Sequence, residues 1–143
     1  MGKNQPPQGP RPTSVVLFVY ALDESVSFYR DLLNLEVRTQ TETAVLLGRA
    51  DGLQLYLRAT GSHGAHSVGG VGVQYVIWTA VDLDDLHRCE ELLKARNGHV
   101  STWHAEGISV IEGRDPSDCP VLVSFPGPDA VPRHDIMNRI YAW

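Results

Sequence analysis

The residues of this 143-residue chain that could carry acid, base or metal chemistry are six histidines and seventeen carboxylates. His63 and His66 are spaced closely enough to chelate a metal, but the glycine-rich stretch around them provides no rigidity. His99 and His104 flank a predicted strand and are five positions apart, so their side chains point to opposite faces. The candidate acids and bases include no pair whose spacing assigns a proton donor and a proton acceptor. These candidates are Tyr20, His104, Glu106, Glu112 and Asp115.

The overall composition argues against several classes of partner. The net charge of −5 and the lack of a Lys/Arg cluster disfavour a nucleic-acid-binding surface. No segment approaches the roughly 20 apolar residues of a membrane span, and the N-terminal residues lack the apolar stretch of a signal peptide. Cys89 and Cys119 lack the CxxC spacing of redox or zinc motifs. The sequence therefore predicts a cytoplasmic globular protein with no nucleic-acid or membrane partner.

Hydrophobic patterning predicts two consecutive copies of one βαβββ unit. In each copy an apolar run precedes an acidic first helical turn, at Asp23 and Glu24 in the first copy and at Asp82 in the second. Asp23 is a candidate helix cap, and Asn97-Gly98 is a stop signal because both residues tolerate the left-handed conformation. Three short strand patterns follow each helix. The predicted elements are 13–20, 23–34, 35–40, 43–49 and 53–59, then 73–80, 82–96, 99–104, 108–114 and 120–125.

A repeat of about 60 residues is the most informative pattern, because one such unit has too little core to be stable alone and two must share a surface. The alternative is an unrelated α+β domain with accidental regularity. The predicted segments are a disordered leader over 1–12, module one over 13–60, a glycine-rich linker over 61–72, module two over 73–126 and a C-terminal tail over 127–143.

The stretch from Val19 to Leu35, and above all its Phe-Tyr-Arg-Asp-Leu-Leu segment, resembles the first helix signature of the vicinal oxygen chelate superfamily. This superfamily contains glyoxalase, bleomycin-resistance and extradiol dioxygenase proteins. The turn at Asp115-Pro116 is similar to the family's Asp-Pro-Asp-Gly-Asn turn. The resemblance implies an α+β fold in which two βαβββ modules form a curled, cup-like mixed sheet around a cavity. It also implies a homodimer, often with the cup shared between subunits.

The resemblance further implies where a metal would bind. In enzymes of the family, His, Gln and Glu side chains from the first and last strand of each module hold a divalent ion. Motif spacing places these positions at Ser14 and Gln54 in module one, and at Tyr75 and Leu122 in module two. A neutral amide is a weak ligand, a phenol must first lose its proton, and leucine has no lone pair. We therefore predict a metal-poor branch of the family, with no metal and no cofactor.

The implied cup is lined by apolar and aromatic side chains with few hydrogen-bonding groups, which suits a planar or aromatic ligand. The first hypothesis is a metal-independent protein that sequesters an aromatic natural product or antibiotic, and the acidic net charge would suit a cationic one. The alternative is an enzyme of lyase, isomerase or dioxygenase type with a non-standard or absent metal. Trp78 faces the cup only if the register of its strand shifts. The predicted ligand-binding residues are Phe18, Tyr20, Gln54, Tyr56, Arg58, Tyr75, Trp78 and Leu122.

Overall fold

The computed structural model describes residues 7–61, 71–105 and 107–127, and these form two βαβββ modules. The predicted α+β fold is confirmed. Module one comprises β1 (Ser14–Val19), α1 (Leu22–Leu33), β2 (Glu36–Gln40), β3 (Ala44–Gly48) and β4 (Gln54–Ala59). Module two comprises β5 (Ile77–Thr79), α2 (Leu83–Ala95), β6 (His99–Ala105), β7 (Ile108–Arg114) and β8 (Pro120–Phe125). His63, His66, Glu106, most of the predicted linker, half of the predicted leader and nearly all of the predicted tail lie outside the described residues.

Each module forms one mixed sheet of four strands, with orders β1-β4-β3-β2 and β5-β8-β7-β6. In both sheets the first strand of the module runs parallel to its last strand, and the other neighbours are antiparallel. The two sheets thus repeat the same topology, as the sequence repeat predicts. A curl of the sheets into a cup is not detected among the described residues.

The helix ends differ in part from the predicted ones. Helix α1 begins one residue earlier than predicted, and its N-cap is Ala21, without a side-chain hydrogen bond. The prediction that Asp23 caps α1 is therefore wrong, because Asp23 lies within the first turn. Asp82 does cap α2, since its carboxylate accepts a hydrogen bond from the Asp85 amide at 2.7 Å. Beyond α2, Asn97 is left-handed with φ 58°, as predicted. Neither described helix is long and apolar enough to cross a membrane.

Strand β5 is shorter than the predicted strand 73–80, because it begins only at Ile77. Ile77 lies beside Leu122 in the parallel ladder with β8, so continuing that register back to Tyr75 would bring it beside Pro120. Proline has no N–H to donate to a ladder. Pairing at Tyr75 is therefore disfavoured, and the observed ladder begins at Ile77.

One hydrophobic core joins the two modules, because a single cluster contains buried residues of both helices and of both sheets. The described residues show how the helices are held together. Arg88 of α2 donates through its guanidinium to the main-chain oxygens of Asp31 and Leu32 at the end of α1, both at 2.8 Å. These last-turn carbonyls have no partner inside their own helix, so Arg88 satisfies them from the other module. The prediction that the two units share a surface is confirmed.

Candidate ligand-binding face

One side of the module-one sheet is packed against α1, and the other side is open. Leu55 and Leu57 of β4 are fully buried on the helix side. Their neighbours alternate to the opposite side, where Val16 is 61% exposed, Phe18 62% and Tyr56 40%. We call this side the open face; on β1, β4 and β3 it carries Ser14, Val16, Phe18, Gln54, Tyr56, Arg58, Ala44, Leu46 and Gly48.

The open face is ordered in rows, because β1 and β4 run parallel in register. Ser14 lies beside Gln54, Val16 beside Tyr56, and Phe18 beside Arg58. Facing residues on neighbouring strands are roughly 5 Å apart, so each row forms one contact unit. The Ser14 hydroxyl donates to Gln54 Oε1 at 3.0 Å. The face therefore changes along the strands from a polar row, through an apolar and aromatic row, to a row with a cation.

The corresponding side of the module-two sheet is largely filled by its own side chains. Leu122, Ile108 and Val110 are buried there as a separate cluster, with Tyr75 and Ile77 packed against it. Burial, with a smaller contribution from Glu112, raises the pKa of Tyr75 above its usual value. The predicted ligand-binding residues of module one thus lie on an open face, whereas Tyr75 and Leu122 of module two belong to a packed apolar cluster.

Trp78 lies on the other side of its strand from Tyr75 and Leu122. It pairs with Val123 and packs against the core shared with the helices. The register shift that would turn Trp78 toward the cup is therefore absent, because Ile77 occupies that side beside Leu122.

Tyr20 lies apart from the open face, beside a groove of about 880 Å³ between the modules. The sequence analysis did not anticipate this groove. The groove lies between the start of α1, the turn after α2 and the turn between β7 and β8. These segments are distant in the sequence, so no local pattern predicts that they lie close together. The backbone amide of Tyr20 donates to the Ser117 hydroxyl at 3.2 Å across it. Its charged and hydrogen-bonding lining includes Asp23, Arg96, His99, Asp115 and Asp118.

Asp115 and Tyr29 form a buried hydrogen bond behind this groove. The Tyr29 hydroxyl donates to Asp115 Oδ2 at 2.6 Å, and Tyr29 is 2% exposed. Burial, and then the neighbouring Asp115 carboxylate, raise the pKa of Tyr29 well above its usual value of 10.0. Burial also raises the pKa of the nearby Cys119 thiol to about 11, so this thiol is protonated at neutral pH. Asp115, a candidate acid or base in the sequence, therefore makes a buried structural contact with the other module.

The raised pKa of Tyr29 predicts a pH-dependent stability. The folded chain holds this proton more tightly than the unfolded chain, so the free energy of unfolding falls as the pH rises above about 10. Tyr29→Phe removes that dependence and also costs about 1–2 kcal/mol at pH 7, because Asp115 loses a buried donor. Urea unfolding from pH 8 to 11 should show the gap between wild type and variant narrowing. Tyr56→Phe, at an exposed tyrosine, is the control, and a gap of constant size would contradict the prediction.

The positions that the family uses for a metal carry side chains that do not fit one. Ser14 and Gln54 are hydrogen-bonded to each other, and the raised pKa of Tyr75 disfavours the phenolate that a metal would need. Leu122 is buried and offers no donor atom. Its neighbour in the parallel ladder, Ile77, offers no donor atom either. Within the described part of the chain, no group of three or more His, Cys, Asp or Glu side chains could hold a metal.

Comparison with known proteins identifies the family. The family model of the Glyoxalase/Bleomycin resistance protein/Dioxygenase superfamily matches residues 11–116. The chain belongs to this superfamily. The match begins before β1 and ends in the turn after β7, so it spans most of both modules of this superfamily member. No curated protein matches the chain.

Solved structures share the fold at low sequence identity. A glyoxylase/bleomycin resistance protein/dioxygenase domain from Frankia sp. EAN1pec is 18% identical, with a TM-score of 0.70, over 82% of this chain and 98% of that one. A lactoylglutathione lyase from Agrobacterium tumefaciens is 19% identical, with a TM-score of 0.61, over 84% and 95%. The oxidase ChaP-H2 is 15% identical, with a TM-score of 0.63, over 84% and 96%. At these identities the likeness shows the fold alone.

Proposed function

We propose that this superfamily member is a metal-independent binding protein that holds a planar or aromatic small molecule on the open face. The observation that carries the proposal is the contiguous exposure of Val16, Phe18 and Tyr56 on adjacent strands. Burial of large apolar side chains is favourable by about 1.5–3 kcal/mol each, so an exposed cluster of them marks a surface that is covered in use. Aromatic rings in such a cluster favour a flat ligand that stacks on them.

The chemistry of the open face favours binding over catalysis. Within the described residues, the open-face positions of β1, β3 and β4 include no carboxylate and no imidazole. The hydroxyl of Ser14 and the amide of Gln54 are engaged with each other. General acid–base catalysis needs a group that titrates near the working pH, and stacking needs none. Sequestration of an aromatic natural product or antibiotic is therefore the activity that best suits this surface.

The open face supplies only one wall of a binding site. Small-molecule sites usually bury most of the ligand surface, which a single sheet face does not achieve. We propose that a second copy of the chain supplies the opposite wall, so that the binding unit is a homodimer. The exposed apolar area of the open face is consistent with such a contact.

The test combines ligand screening with matched variants. Thermal-shift screening against planar aromatic antibiotics and naphthalene derivatives should find compounds that stabilise the folded protein. Phe18→Ala and Tyr56→Ala should each weaken the binding of such a compound by roughly tenfold or more, because the lost contact is worth about 1.5 kcal/mol or more. Leu83→Ala removes a side chain of similar exposure (52%) from α2, and should leave ligand affinity unchanged. Sedimentation should show a dimer.

Two results would count against the proposal. The first is a screen with no stabilising compound, or variants of Phe18 and Tyr56 that bind as the wild type does. The second is chemical conversion of the bound compound, detected by mass spectrometry, if this conversion stops when a chelator removes a metal from the protein. That result would favour the enzyme alternative.

A further inference from the structure

We infer that the ligand of the open face is an aromatic carboxylate, whose carboxylate group is bound by Arg58. The inference rests on the proposed function, because it names the class of molecule that the same face would hold. It also differs from the cationic ligand that the net charge of the whole chain suggests.

The position of Arg58 carries the inference. Arg58 lies on the open face of β4, directly beside Phe18 on β1 and Ala44 on β3, and it is exposed. No hydrogen bond or ion pair joins its guanidinium to any described residue. Other arginines are held by carboxylates: Arg49 contacts Asp51 at 2.8 Å, and Arg88 contacts Asp85 at 3.0 Å. Arg58 therefore presents a cation beside an aromatic surface, and no described carboxylate neutralises it.

The local charge of the open face is opposite in sign to that of the chain. The side chain of Arg38 on β2 lies over the open face beside Gly48. A Cβ built on Gly48 would lie 3.0 Å from the Cγ atom of Arg38. The nearby carboxylate is Glu36, which is 78% exposed and lies 3.8 Å from Arg38, beside Gly48. Arg38 and Glu36 offset each other, and Arg58 is the one charged side chain at the described open-face positions of β1, β3 and β4, in a chain whose net charge is −5. Charge complementarity therefore favours an anionic ligand.

The spacing suits a ring that bears an acid. Tyr56 and Arg58 are two positions apart on one strand, which places their Cα atoms roughly 7 Å apart on the same side. A fused ring stacked on Phe18 and Tyr56 can therefore direct a substituent to the guanidinium. The planar fork of arginine matches a carboxylate with two parallel hydrogen bonds, which a neutral or cationic substituent cannot make.

The experiment uses naphthoate and its neutral counterpart naphthamide, which have the same ring and nearly the same shape. Wild-type protein in calorimetry should bind naphthoate more tightly by roughly tenfold, the value of one charge-assisted hydrogen bond of about 1.5 kcal/mol. Arg58→Gln should abolish this preference and leave naphthamide affinity unchanged, while Arg58→Lys should keep part of it. Arg30→Gln, at an exposed arginine of α1, is the matched control and should keep the full preference.

The outcomes separate this inference from the proposed function. If naphthamide binds as tightly as naphthoate, or Arg58→Gln keeps the preference, the inference is wrong and the binding proposal stands. If neither compound binds while other aromatic compounds stabilise the protein in the screen, the inference is wrong and the binding proposal stands; if no compound stabilises it, both are wrong. If Arg58→Gln weakens both compounds equally and converts a dimer to a monomer in sedimentation, Arg58 serves the contact between copies and the inference is overturned.

Discussion

Asp115→Ala is expected to lower the free energy of unfolding by about 3–5 kcal/mol, because it removes the acceptor of three hydrogen-bond donors and each buried donor left unsatisfied costs about 1–3 kcal/mol. Asp115 is 5% exposed. Its Oδ2 accepts from the Tyr29 hydroxyl at 2.6 Å, and its Oδ1 accepts from the Ser117 and Cys119 amides at 2.8 and 2.9 Å. Alanine leaves these three donors without their acceptor in a largely buried place. Urea unfolding at pH 7 measures the loss.

Two further variants separate the carboxylate from other effects of the substitution. Asp115→Asn keeps an oxygen for the two amides and a polar group for Tyr29, so it should cost clearly less than alanine. Asp84→Ala removes an exposed carboxylate from the first turn of α2 and should cost at most about 1 kcal/mol, through the helix dipole alone. Equal stabilities for Asp115→Ala and Asp84→Ala would show that the buried contact contributes nothing.

The expected cost is large because Asp115 connects the two modules. Tyr29 lies on α1 of module one, and Asp115 follows β7 of module two. The same turn holds Ser117, whose hydroxyl accepts from the Tyr20 amide. The Asp-Pro turn that the sequence analysis used as a sign of family resemblance therefore also closes the interface between modules. This role depends on a contact over 86 positions of the chain, which no local pattern reveals.

Elements with a strong local signal were predictable from the sequence. The spacing predicts an apolar stripe of Leu83, Leu86, Cys89 and Leu93 on α2. Leu86, Cys89 and Leu93 are buried as predicted, whereas Leu83, in the first turn, is 52% exposed. The strand that carries Gln54, Tyr56 and Arg58 places them on one side, away from α1, as its alternation predicts. In both cases the period of the hydrophobic pattern alone indicates which side of the element is buried, without knowledge of the element that packs against it.

Trp78 shows why the rest was not predictable. The run from 73 to 80 is apolar on both parities, so its pattern does not choose which side chains face the helix. The choice is made by pairing with β8, which places Trp78 beside Val123 on the core side. A slip of one residue would reverse every side chain of that strand. The candidate site of module two was therefore less predictable than that of module one, because its register depends on a distant strand.

Gly98→Ala is expected to lower the free energy of unfolding by about 2–3 kcal/mol, the upper part of the range for overpacking. A Cβ on Gly98 would lie 2.5 Å from the main-chain oxygen of Arg114, and backbone atoms cannot rotate away as a side chain can. The opposing strand is also tight, since a Cβ on Gly113 would lie 2.9 Å from the Gly98 oxygen. The sequence predicts a helix stop at Asn97-Gly98 because both residues tolerate the left-handed conformation, and of the pair only Asn97 has a positive φ. Close approach of β6 and β7, rather than chain reversal, is thus what requires glycine.

The matched control for this prediction is Gly61→Ala. Gly61 has open space around it and no positive φ, so alanine should leave stability within about 0.5 kcal/mol or increase it slightly by restricting the unfolded chain. Gly98→Ala should instead separate Arg114 from Gly98, whose oxygen accepts from the Arg114 amide at 2.7 Å. Hydrogen exchange of the Arg114 amide should accelerate in this variant beyond the change expected from global stability alone. Equal stabilities of the two alanine variants would mean that the strands can move apart at little cost, and that close packing does not require glycine at position 98.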